Sequence, residues 1–143
     1  MARWHVVGAW LIGLALITAS RASLWTDEGR LWAAAAAHSP AKPRPWINLG
    51  NAYVRARQPH LAETAFRRAV TLTQAPGRTR EEQRYGRAIA ETNIAIVLIA
   101  RGAREEAGAL LLAVIDRMPE AQTPRRVHQW LMHAPPTSSS PAS

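Results

Sequence analysis

The residues best equipped for chemistry in this chain are five histidines and two adjacent carboxylate pairs. His5, His38, His60, His128 and His133 could ligate a metal or move a proton, but only at suitable spacing. His128 and His133 stand five apart, which is poor for one helix face, and the others are isolated. Glu81–Glu82 and Glu105–Glu106 are neighbours in sequence only. Successive side chains on a helix diverge by about 100°, so these pairs read as solvated helix starts near the positive dipole end. No H-E-x-x-H, G-x-S-x-G or phosphate-binding loop occurs. The chain contains no cysteine, which excludes disulfides and thiolate metal sites. The expectation is a protein that is not an enzyme, with no catalytic residues, no metal and no cofactor.

The basic residues need a reading of their own. There are 18, and all but Lys42 are arginine, for a net charge of +8. They alternate with alanines and acids, so nucleic acid is not expected as a partner. A solvated face, or contact with anionic lipid headgroups, accounts for them better. Trp25, Trp32, Trp46 and Trp130 could stack on a ligand, but their helical spacing predicts core packing.

The elements that must position these groups are helices. Trp46, Leu49, Gly50 and Tyr53 recur on one helical face. After the polar break at Arg57–His60, Ala62, Ala65, Phe66 and Ala69 form a second face. Two amphipathic helices with a tight turn make a hairpin. Gly50 and Ala62 are small where the helices would cross, so the backbones can approach closely. The signature W-x2-L-G-x2-Y followed by A-x3-F-x2-A closely resembles the tetratricopeptide repeat. Pro40, Trp32 and Ala35 then fit the second helix of a preceding unit, Trp32 lying 34 residues before Phe66.

A second hairpin follows. Thr79 and Glu82 have capping-box spacing, predicting a helix from Arg80 to about Ala100 and a partner from Arg104 to Arg117. Ala95, Leu98, Ala107, Leu111, Val114 and Pro119 repeat the pattern of the first unit. The offset from Gly50 to Ala95 and from Phe66 to Leu111 is 45 residues. The excess of 11 over the family period is about three helical turns, placed at residues 77–87 as a basic extension. Thr123–Pro124 predicts an N-cap and first helical position, and residues 124–133 a terminal cap with Val127, Trp130 and Leu131 on one face. The tail, 134–143, is expected to be disordered.

Residues 4–22 read as a transmembrane anchor or a signal peptide. Trp4 to Ser20 carries no charge between Arg3 and Arg21, just reaching the length that spans a bilayer. Ser20 and Ala22 suit cleavage after Ala22. Either reading places the rest outside the cytoplasm, on the periplasmic side, and the uncleaved anchor is the expectation adopted. W-x-D-E-x-x-L-W at Trp25–Trp32 and S-P-x-K-P-R-P-W-x-N-L-G at Ser39–Gly50 are similar to a junction in protein O-mannosyltransferase-like membrane glycosyltransferases. In those, extracytoplasmic tetratricopeptide repeats follow the last membrane helix. This sequence carries no catalytic membrane domain, so the resemblance implies topology and no activity.

The expected fold is all-α: a transmembrane helix, then a short tetratricopeptide-like solenoid of antiparallel hairpins over 23–133. The family resemblance implies a concave partner-binding face formed by the first helix of each hairpin. It would present Arg44, Ile47, Asn48, Asn51, Val54 and Arg55 from the first unit. The second would present Ile89, Thr92, Asn93, Ile96 and Ile99. An asparagine near arginines resembles part of a clamp for a C-terminal carboxylate, but the second unit lacks the basic partners. Its apolar wall suits an amphipathic helix, from another protein or from the chain's own C-terminal cap. The function expected is a membrane-anchored scaffold for protein–protein interaction, with another, membrane-associated protein as partner; the alternative is a detached accessory part of a membrane glycosyltransferase system that presents polypeptide acceptors.

Overall fold

An alanine-rich chain with few β-branched runs favours helix. The computed structural model describes residues 28–135, and every regular element among them is an α-helix. The helices are α1 (residues 28–38), α2 (Pro43–Arg55), α3 (Pro59–Thr73), α4 (Arg80–Ala100), α5 (Arg104–Arg117) and α6 (Gln122–His133). The anchor expected at 4–22 and the tail beyond 135 lie outside the described residues. Among the described residues no helix is long and apolar enough to cross a membrane.

Local signals explain most boundaries. Prolines open α2 and α3, where the first amides have no intrahelical partner to lose. Thr79 and Glu82 form the reciprocal capping box that starts α4. The α2–α3 and α4–α5 turns share one hydrogen-bond pattern. Gln58 N–H donates to Tyr53 O and Arg57 N–H to Val54 O. Forty-five residues on, Ala103 N–H donates to Leu98 O and Gly102 N–H to Ile99 O. Both are Schellman closures, which require a left-handed residue. Gly102 supplies it at φ 84°, and Arg57 does so at φ 57° despite its side chain. One boundary differs from expectation: α6 starts at Gln122 after Ala121, not at Thr123–Pro124. Pro124 is tolerated because the missing amide still falls in the first turn.

Each helix packs on the next, and α2 touches α4 as α4 touches α6, whereas α3 and α5 approach only through side chains, Arg67 reaching Glu106 at 3.7 Å. The chain therefore forms two layers, α2, α4 and α6 on one side and α3 and α5 on the other. The main core joins Ala62 and Phe66 of α3 to Ile94, Ala95 and Leu98 of α4, Ala107 and Leu111 of α5, and Leu131 of α6. Gly50 lies against the fully buried Phe66 ring, where a β-carbon would sit 2.6 Å from Cδ1. Ala36 of α1 packs with Leu49 and Ala65, flanked by Trp32, Trp46 and Tyr53. Gly86, in the second turn of α4, faces the buried Thr73 at the end of α3.

Ion pairs mark the two ends of the stack. At one end Arg55 pairs with Glu28, and Arg101 of the α4–α5 turn pairs with Glu63. There Arg104 also donates to the carbonyls of Leu131 and Ala134, closing the end of α6. At the other end Arg78 donates to the Ala41 carbonyl, and Arg84 to that of Arg117.

Candidate docking face

The α2/α4/α6 layer collects most residues expected to bind a partner. Asn51 of α2 and Asn93 of α4 come together, Asn93 Nδ2 donating to Asn51 Oδ1 at 3.2 Å. Each amide thus spends part of its hydrogen-bonding capacity on the other. Ile47 and Asn48 are half-buried, and Ile47 packs on the main core. Arg44 and Val54 are exposed, and Arg55 is held by Glu28.

On α4 the expected set divides. Ile89 and Ile96 are 50% and 40% exposed. Thr92 is buried, its hydroxyl donating to the Ala88 carbonyl at 2.7 Å, yet it still lines the cleft toward α6. Ile99 is likewise buried. Tyr85, Ile89, Asn93, Ile96 and Ala100 instead form a stripe at i, i+4, i+8, i+11 and i+15, about 22 Å long.

Helix α6 extends this face. A cleft of about 530 Å³ between α4 and α6 is lined by Ile96, Ile99, Ala100, Thr123, Arg126, Val127 and Trp130. A second, of about 330 Å³, runs from Tyr85, Ile89 and Asn93 to Met118 and the start of α6. Thr123 lines both, so the two clefts adjoin along the α4/α6 seam. Their only charged lining residue among those described is Arg126, since neither cleft carries a carboxylate.

Trp130 overturns an expectation. It is 57% exposed, whereas its neighbour Leu131 is buried in the main core against α5. Leu131 takes the packing position among Ala107 and Leu111 of α5 and the apolar residues of α4. That turns the indole toward the cleft. Tyr85, Ala100, Arg126 and Trp130 were not expected on this face. The helical spacing of Tyr85 and Ala100 with Ile89 and Ile96 was the available signal; the direction of Trp130 had none.

Among the described residues no group of three or more histidine, aspartate or glutamate side chains could hold a metal. No protein-family model matches the chain, and comparison with curated proteins and with solved structures gives no match.

Proposed function

We propose that this chain is a membrane-anchored, extracytoplasmic scaffold: a short tetratricopeptide-type solenoid that docks another protein on its α2/α4/α6 face. The observation that carries the reading is the exposed apolar stripe on α4, continued by Trp130 of α6. An apolar patch rimmed by polar groups marks an interaction surface. Its chemistry suits an amphipathic helix whose apolar side enters the clefts and whose acidic flank meets Arg126. The W-x2-L-G-x2-Y and A-x3-F-x2-A spacing, with Gly50 on Phe66, supports the repeat assignment. The uncharged segment from Trp4 to Ser20 supports the anchor. Tethering raises local concentration near a membrane partner, so modest affinity suffices.

The test replaces Ile89 and Ile96 together by serine in the full chain. Surface changes of this kind shift stability by about 0.5 kcal/mol each. Site-directed photocrosslinking from Asn93 in intact membranes should give a defined product that the double variant loses at least tenfold. An undiminished product in the variant would refute docking on this face. Mass spectrometry of the mature N-terminus tests the anchor separately, and a start at Ser23 would overturn it.

A further inference from the structure

The end of the stack away from Glu28 holds a group of charges that neither the helical repeat nor the docking face uses. A cleft of about 330 Å³ there is lined by Arg80, Arg84 and Arg87 of α4, by Arg117 of α5, and by Gln74 and Gln83. The three α4 arginines recur at i, i+4 and i+7, so they share a face. All three lie in the first eight residues of α4.

Two carboxylates touch these four guanidinium groups. Glu91, with a side chain 7% exposed, accepts from Arg87 Nε at 2.8 Å and from Arg117. Glu120 lies 3.3 Å from Arg84. Four positive charges thus face two negative ones, and no described residue pairs with Arg80. The arrangement is also anchored. Glu91 fixes two guanidinium groups from a buried position, Arg117 Nε donates to the Ala113 carbonyl, and Arg84 is held on the Arg117 carbonyl. A guanidinium carries five N–H donors, so most donors here remain after these bonds. Neutralising Glu91 needs only one arginine; the second, with Arg80, is surplus to packing.

We infer that this cleft is an anion site for a phosphate-bearing ligand. Forked guanidinium donors match tetrahedral oxyanions and bind them in bidentate fashion. The cleft has room for on the order of ten waters at the volume each occupies in the liquid, enough for a diphosphate. The arginines are partly exposed, so binding weakens as salt rises.

The experiment uses the purified full-length chain in neutral detergent, titrated with sodium pyrophosphate by calorimetry. A parallel arm measures co-flotation with phosphatidylglycerol vesicles against phosphatidylcholine vesicles. The Arg80→Gln/Arg84→Gln variant leaves the Glu91 pairs in place and removes only the exposed Arg84 bonds to the Arg117 carbonyl and Glu120, so it should stay folded, with a thermal melt as the check. Arg30→Gln/Arg57→Gln removes equal charge near Glu28 and serves as the control. Saturable binding that falls at least tenfold in the first variant and less than twofold in the control supports the site. A loss confined to pyrophosphate identifies a soluble ligand, and one confined to vesicles a lipid headgroup. No saturable binding in either arm, or an equal fall in the control, overturns the inference.

Discussion

Single residues at the helix crossings carry much of the fold's specificity. Gly50 is the clearest: the Phe66 ring occupies the space a β-carbon would need, and the ring is fully buried. Gly50→Ala should cost about 1–3 kcal/mol by overpacking, although alanine favours helix, as urea denaturation would show. Its role was legible because a glycine between Leu49 and Tyr53 on an apolar face has no other use. Glu63 was not legible. Burial alone would raise its carboxyl pKa, but hydrogen bonding and charge from Arg67, then from Arg101, outweigh it and hold it below the ordinary 4.5. A depressed folded-state pKa stabilises the protein above that value, and the benefit is lost as pH falls through the folded pKa. Glu63→Gln should therefore be less stable by about 1 kcal/mol at neutral pH. Its deficit should close on acidification below pH 4.5, measured by denaturation across pH. Glu91 shows the same limit: its i,i+4 spacing to Arg87 looks like any surface pair until α5 brings Arg117 over it.

At the scale of the element, helix starts and stops follow local chemistry. The Thr79–Glu82 capping box was readable from spacing, and the Glu82 carboxyl is held low by hydrogen bonds from the Thr79 backbone and side chain. Thr79→Ala should destabilise by about 1 kcal/mol, and the Glu82 titration should move upward in an NMR pH series. The two Schellman turns are chemically unequal. A left-handed non-glycine residue costs about 1–2 kcal/mol, and Arg57 pays it where Gly102 does not. Arg57→Gly should raise the unfolding midpoint by about 1 kcal/mol equivalent in the same denaturation assay, after the entropy cost of glycine is subtracted. The start of α6 was misjudged because a proline is allowed anywhere in a first turn, so Pro124 does not mark which residue comes first.

Across the whole molecule, α6 completes the main core chiefly through Leu131, with Val127 packed beside it. Leu131 is almost fully buried among Leu111, Ala107 and the α4 apolar residues. Leu131→Ala should cost about 2–5 kcal/mol, whereas Trp130→Ala, on the exposed side, should change stability little; thermal melts of both variants distinguish them. The sequence by itself determined the helices, their hairpin pairing and the small residues at the crossings, because periodicity and turn chemistry act within a few residues. The start of α4 at Arg80 was also readable, because the Thr79–Glu82 spacing is that of a capping box. Only tertiary packing decided which side of α6 turned inward, that Thr92 was buried, and that four arginines from two helices line one cleft. Those outcomes depend on rotation and offset between elements far apart in the chain, and a local pattern carries no record of either.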